Sequence, residues 1–550
     1  MIFAKMKKRW EIHLATLWYG GKIYTLQAEN HQVEAVLTKG DKIIAIGTIA
    51  ELENQHHAEI AERINLNGDT MLPGFVDSHL HLIGHGEKLI RLDLSRCQSK
   101  AEVLSAVKEY AKKMPEGEWI IGEGWNENLW GANRQLITAK DLDESIPNHP
   151  VLLKRICRHA LVANSAALHL ASIDESTVSP PGGIIEKDEQ GSLTGLLKDR
   201  AYDLLFSALP VVSEGYLHNA LTAAIKDAYT VGLTGAHTED LNYYGGFART
   251  YQTFQRVIEE EGNHFRAHLL VHHEVIDEMK KAGESFHSGS KWIEFGAMKI
   301  FSDGALGGRT ALLSHPYGDD PSTSGVAIFT QEQLNQLVKK AREYELPVAV
   351  HAIGDLAFEM VLQAIEKHPL QGPGRDRLIH AQILRQELIE RAKKLPLILD
   401  IQPRFLASDF PWVLERIGAN RRGYFYAWKT LLQNGLSCAG GSDAPIEPLN
   451  PLLGIHAAVT RTNVDDQDHF VYHPDERLTV YEAVELFTKG SAYAACHEMD
   501  RGLIKEGYLA DFTILHADIF TIVEDLIPNI AVSKTVIGGE IVFERQGNQS

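Results

Sequence analysis

The sequence predicts an α/β protein: a (β/α)8, TIM-like barrel, a composite β-sandwich drawn from both ends of the chain, and a large insertion after barrel strand one. Three observations predict this. Eight short apolar runs lie between residues 75 and 440, many of them separated by helical patterns. Buried parallel strands covered by helices read this way, and eight such units close a barrel. Turn-punctuated strand patterns occupy both ends of the chain. Finally, about 150 residues separate the first run from the second, too many for a structureless loop.

Taken in order, residues 15–72 read as short strands: Ala15–Tyr19, Lys22–Leu26, Ala35–Lys39 and Lys42–Ile46, with turns at Gly20-Gly21 and Gly40-Asp41. Residues 505–546 look alike, with Ala510–Leu515, Val532–Ile537, a Gly538-Gly539 turn and Ile541–Phe543. Chain termini often lie close together, so one shared sandwich is expected rather than two separate caps. Residues 73–504 hold the barrel. Its strands are expected at Phe75–His79, Leu233–His237, Arg266–Val271, Ala297–Phe301, Pro347–His351, Arg377–His380, Leu397–Ile401 and Leu436–Gly440. Helices are expected at Gln331–Glu343, Leu356–His368, Gln386–Lys394 and Tyr424–Asn434. Residues 90–215 form the inserted subdomain. The connection that carries it opens on the active-site face of a barrel, so the insertion is expected to cap that site.

The composition narrows the function classes. The chain of 550 residues is 44% hydrophobic and 23% charged, with 54 basic against 73 acidic residues and a net charge of −19. Nucleic acid and anionic membrane are poor partners for such a surface. The four cysteines, Cys97, Cys157, Cys438 and Cys496, are far apart and form no Cys-x-x-Cys, which argues against a disulfide framework and a thiolate zinc site. No apolar stretch approaches the ~18 residues of a membrane helix, and the N-terminal segment lacks the apolar core of a signal peptide. The expectation is a cytoplasmic protein acting on a small molecule, with a homodimer as a further expectation.

The polar residues at the strand ends carry the chemistry. Pro73-Gly74-Phe75-Val76-Asp77-Ser78-His79-Leu80-His81 ends an apolar run with two histidines two residues apart. In a strand these share a face, as two ligands of one metal ion must. Lys299 lies in strand four, His351 ends strand five, His380 ends strand six, and Gly441-Ser442-Asp443 follows strand eight. Polar groups at the C-terminal ends of several barrel strands read as catalytic. In isolation, His351 and His380 also read as hydrogen-bonded core histidines, and Asp443 as a helix cap. Lys299, flanked by Met298 and Ile300, needs a partner carboxylate or an exposed strand edge.

These motifs resemble the amidohydrolase superfamily, specifically its amidohydrolase-3 branch of N-substituted formamide deformylase-like, metal-dependent hydrolases. The matching segments are PGFVDSHLH at 73–81, PGGIIEKDEQGSLTG at 181–195, MKIFSDGALGGRTA at 298–311, HAIGD at 351–355, IHAQ at 379–382, GSDAPIEPLNP at 441–451 and RGLIKEGYLADFTIL at 501–515. The resemblance runs from about residue 15 to 545. It implies that His79, His81 and Asp443 bind one divalent metal, zinc by expectation, and that His351 and His380 bind a second. It implies that Lys299 is carboxylated and bridges the two. With Lys299 unmodified, one metal would be held by His79, His81, His351 and Asp443, and His380 would contact metal or substrate.

The implied activity is hydrolysis of a carbon–nitrogen bond in a non-peptide amide, formamide or cyclic amide. A metal-bound hydroxide would attack, and Asp443 would act as general base and then acid. The alternatives are an esterase or phosphoesterase on the same metal site, and a non-catalytic binding protein on the same fold. Substrate contacts are expected from Asp303, Gly304, Arg309 and Thr310, and from Trp125 and His159 in the insertion. His237, Tyr317, Asp355, His456 and Arg461 are weaker candidates.

Overall fold

The eight apolar runs form one parallel eight-stranded sheet in which neighbours in space are neighbours in the chain. Barrel strands one to eight are Phe75–Leu80, Leu233–Thr238, Arg266–His272, Ile293–Phe301, Val348–Ala352, Asp376–His380, Leu397–Ile401 and Ser437–Gly440. Every residue of strands two, three, six and seven is buried, as expected for a sheet enclosed on both faces. The structure is a computed structural model that describes residues 15–546 apart from 128–129, 131–134, 156–159, 181–182, 200, 202, 207–208, 210–211, 419–423, 465 and 467–469.

Closure between strands eight and one is made by residues in the C-terminal half of strand one and just beyond it, and by those just past the end of strand eight. Asp443 N donates to His79 O at 2.8 Å, and His81 N to Ala444 O at 2.8 Å. Ser442 N donates to both carboxylate oxygens of the buried Asp77, at 3.1 and 3.0 Å. The seam of the barrel thus coincides with the segment that carries His79, His81 and Asp443.

Helix starts are set by local chemistry. Thr330 and Gln333 form a capping box at Gln331–Glu343, which satisfies backbone donors left free at a helix N-terminus. The expected helix Tyr424–Asn434 is a correction. Tyr424–Phe425 instead pairs antiparallel with Ile383–Leu384, Tyr426 takes a left-handed φ of 49°, and helix begins only at Trp428–Gln433. A tertiary pairing partner outcompetes the local helical pattern here.

Two compact units are defined. The first holds the described residues up to Gly86 and those from Glu214 onward, and it contains the barrel and a second sheet. That sheet mixes both ends of the chain: Ala15–Tyr24, Gln32–Lys39, Lys42–Gly47, Ile60–Asn65 and Thr70–Pro73 join Phe512–Leu515, Val532–Ile537 and Glu540–Glu544. The splice is direct, with Met71 opposite Ile514 and Leu72 opposite Thr513. Trp18, Met71, Phe512 and Ile514 share one apolar cluster, and Leu17, Ala35 and Leu37 another. Gly20-Gly21 is not the expected hairpin turn. It is an irregularity inside the single strand Ala15–Tyr24. Gly20 has φ 79°, and a Cβ there would meet Asn65 Oδ1 at 2.2 Å, so close approach explains the glycine.

The second unit, Glu87–Ser213, has its own six-stranded sheet. Val151 and Leu153 feed one of its cores, and Leu152 between them feeds the other, the alternation of a strand buried on both faces. Among the described residues, no helix is long and apolar enough to cross a membrane.

Candidate metal centre

His79 and His81 converge as their spacing requires. Nε2 of each lies 3.5 Å from the same oxygen, Oδ1 of Asp443. One donor atom from each of the three residues lies within 4.8 Å of the others. His81 Nδ1 is hydrogen-bonded to Glu239 O at 2.7 Å, which makes it the protonated nitrogen and leaves the Nε2 lone pair free. Asp443 holds a left-handed φ of 57°, a conformation tolerated better by Asp than by most residues.

Lys299 is fully buried, with Nζ 3.1 Å from His79 Nε2 and 4.4 Å from the centre of the Phe301 ring. Of the two settings expected for Lys299, the exposed strand edge is therefore not the one found. Burial pulls the ammonium down to about 8, against the opposing pull of Glu239 and Asp443. Burial also lifts the Asp443 carboxyl to about 7, although Lys299 opposes the rise. His81 is depressed to about 4 by burial and by Lys299, and His79 and His380 also fall well below the ordinary histidine range. Buried neutral imidazoles are the form that binds metal.

His351 and His380 stand together beside this cluster. Their ring centres are 4.5 Å apart, and His380 is 5.7 Å from His79. His380 Nδ1 is bonded to Gln402 Oε1 at 2.7 Å, which directs its Nε2 to carry the lone pair. His351 Nε2 is bonded to Gly304 O at 3.1 Å and lies 3.3 Å from Asp303 Oδ1, which leaves Nδ1. Orienting partners on the far ring nitrogen are the usual second layer of a metal site. The donor set therefore fits a divalent cation: neutral imidazoles and carboxylate oxygen suit zinc and its neighbours.

Three contributors were not singled out from the sequence. Glu239, fully buried and lifted to about 7 by burial, accepts from Tyr243 Oη at 2.7 Å and lies 3.7 Å from His81 Nδ1. Gln402 orients His380, and Asp77 gathers the backbone N–H groups of His79 and Ser442. Glu239 lies two residues beyond His237, which the strand pattern did flag, so its signal was the same period-two spacing.

The other candidates fall in varied places. Asp303 is buried and accepts from the backbone of Leu312, Ile353 and Gly354, so it organises loops as well as touching His351. Arg309 is committed to Asp319 at 3.2 and 2.8 Å. Thr310 bonds Ala305, and Tyr317 donates to Ala311 O. Asp355 accepts from the Ser314 N–H at 2.9 Å. The Arg461 side chain holds Tyr472 O and Tyr426 O, and His456 lies buried on Pro451–Thr460. The His237 ring lies 4.8 Å from that of His268, tilted against it. Trp125 lies wholly inside the core of the inserted unit and donates to Leu153 O. His159 lies outside the described residues.

Residues 62–543 match the family described as the amidohydrolase family. The chain is 52% identical to the protein YtcJ of Bacillus subtilis (strain 168) over 532 residues, which is 97% of this chain and all of that protein. It is 27% identical to the N-substituted formamide deformylase of Arthrobacter pascens, covering 96% of this chain and 98% of that one. Among solved structures, an uncharacterized metal-dependent hydrolase from Pyrococcus horikoshii OT3 superposes with a TM-score of 0.78 at 29% identity, covering 93% of this chain and 99% of that one.

Proposed function

The chain belongs to the amidohydrolase family, and from that premise we propose that it hydrolyses a carbon–nitrogen bond of a small non-peptide amide, formamide or cyclic amide, using one or two zinc ions. The observation that carries this reading is the convergence of His79, His81 and Asp443 beside the buried amine of Lys299.

His79, His81 and Asp443 would hold one ion, and His351 and His380 a second. A divalent cation supplies Lewis-acid polarisation of a carbonyl and brings the pKa of its water to ~7. The chain's own residues supply the rest. Asp443, which lies against both His79 and His81, would take a proton from the attacking water and return it to the departing nitrogen, as general base and then acid. Lys299 is dry enough to keep a share of neutral amine near pH 8. That amine can add to carbon dioxide, losing its proton to form a carbamate, which would supply two anionic oxygens to cations held by His79, His81, His351, His380 and Asp443. Asp77 holds the His79 and Ser442 backbones, which fixes the donors before substrate arrives.

The test is metal analysis of the purified protein, followed by a panel of amides, formamides, cyclic amides, carboxylic esters and phosphoesters. Turnover of amide-type substrates that is lost on chelation and restored by zinc supports the reading. Metal-dependent turnover of esters or phosphoesters alone replaces it with the alternative bond. Metal-free protein without activity on any panel member overturns it.

A further inference from the structure

The mouth of the barrel is aromatic on one side and polar on the other. Lys299 and His79 sit on strands four and one, which are not neighbours in the sheet, yet they meet at 3.1 Å. The Lys299 side chain therefore points into the barrel. Phe301 lies two residues further along the same strand and shares that face. His272 is the register partner of Lys299 on strand three, and partners in a parallel ladder project from the same face. Both rings thus face inward at the C-terminal ends of their strands. Tyr243 joins them from the connection after strand two.

These rings link one half of the donor set to the other. Ring centres lie 6.2 Å apart for His81 and Tyr243, 6.1 Å for Tyr243 and His272, 5.9 Å for His272 and Phe301, and 5.4 Å for Phe301 and His351. Tyr243 is 48% exposed, yet its hydroxyl is tied to the buried Glu239 at 2.7 Å. The ring is held in place with surface to spare. Phe301 is partly exposed as well. An aromatic that keeps its polar tip bonded and offers its body suits a flat apolar group. On the other side, Gln402 follows strand seven and Asp443 follows strand eight, and both are polar.

This asymmetry gives a bound amide a direction. In a ring of eight strands, strand eight lies opposite strand four. In the proposed reaction Asp443 returns the proton to the departing nitrogen, so the nitrogen leaves on the strand-eight side. The substituent on the far side of the carbonyl then points to strands two to four. We propose that Tyr243, His272 and Phe301 form a subsite for the acyl side of the substrate, and that this substrate is an amide of an aromatic acid rather than a formamide. The direction of the nitrogen rests on the carbon–nitrogen hydrolase reading; the preference for a ring rests on the aromatic arc.

The test uses the full-length, zinc-loaded chain and two hydroxamic acids, benzohydroxamic and acetohydroxamic acid. Both chelate a divalent ion through the same two oxygens, and they differ only in phenyl against methyl at the acyl position. Calorimetric titration should find the benzohydroxamate bound about tenfold more tightly. Tyr243→Ala should bring the two affinities together. Tyr243→Phe keeps the ring but loses the bond to Glu239, and it should retain the preference. Circular dichroism checks that both variants fold. Equal affinities in the unaltered protein, or a preference that survives Tyr243→Ala, overturns the proposal. Failure to bind either hydroxamate overturns the metal reading and the subsite with it. The bond and the subsite fail separately. Turnover of esters in place of amides, with the hydroxamate preference intact, removes the amide bond and keeps the ring subsite. Turnover of amides without that preference keeps the bond and removes the subsite.

Discussion

The two ends of the barrel use the same residue types differently. At the mouth, Asp443 faces His79, His81 and Lys299 at 3.5 Å or through charge alone, and burial lifts it to about 7. At the foot, burial raises Glu294 too, yet hydrogen bonds from His268 and His497 hold it well below the ordinary carboxylate range. Beside it, Arg266 and Asp511 form a paired contact that also satisfies Gly538 N. The difference is saturation. Carboxylates at the foot have spent their hydrogen-bonding capacity on protein partners and hold segments together. At the mouth, Asp443 and the free imidazole nitrogens keep capacity for a ligand, and a group left unsatisfied in a dry site is one whose proton can move.

Breaking each end should therefore read out in different measurements. The largest effect is expected for Asp443→Asn: turnover on an identified amide should fall by about 10²–10⁴-fold, the span of general acid–base catalysis, with part of the metal retained and unfolding unchanged. Full activity in this variant would remove Asp443 from the mechanism. Next is Asp511→Ala at the foot. It strands the buried Arg266 guanidinium and should cost about 3–5 kcal/mol, as one-sided loss of a buried pair does. Urea unfolding measures it, and kcat should hold for the fraction still folded. A foot variant that loses turnover without losing stability would erase the distinction between the ends.

Gln402→Ala is intermediate. It removes the acceptor for His380 Nδ1 without touching a donor, and loss of an orienting partner costs about 10–100-fold in metal affinity or activity. Zinc competition with a chromogenic chelator gives the number. Withholding bicarbonate during metal loading should lower activity further if Lys299 works as a carbamate; unchanged activity sinks that state of the lysine.

How much of this could be read in advance follows the same division. The eight strands were legible because burial on both faces leaves a dense apolar run, as in Leu397–Ile401. His79, His81, His351, His380, Lys299 and Asp443 were legible as polar residues where such runs end. Residues that act through a partner were not. Gln402 and Asp77 are unremarkable until folding brings His380 and Ser442 to them, the latter across 365 residues. Tyr424–Phe425 became a strand because Ile383–Leu384 offered a pairing edge, which no local pattern encodes.

The smallest effect is expected far from either end, at Thr48. Its hydroxyl accepts from Glu51 N at 3.3 Å, and Glu51 Oε2 accepts from Thr48 N at 3.0 Å, a capping box on the helix Ile49–His56. The helix is short, Leu52 is its buried anchor, and the box is exposed. Thr48→Ala should therefore cost about 1 kcal/mol, the usual worth of an N-cap, with kcat, KM and zinc content all unchanged. If this substitution moved activity as Gln402→Ala does, function would track global stability rather than the saturation of groups at the mouth. A small stability change with unaltered turnover keeps the two properties separable, and it sets the baseline against which the losses at Asp443 and Gln402 are read.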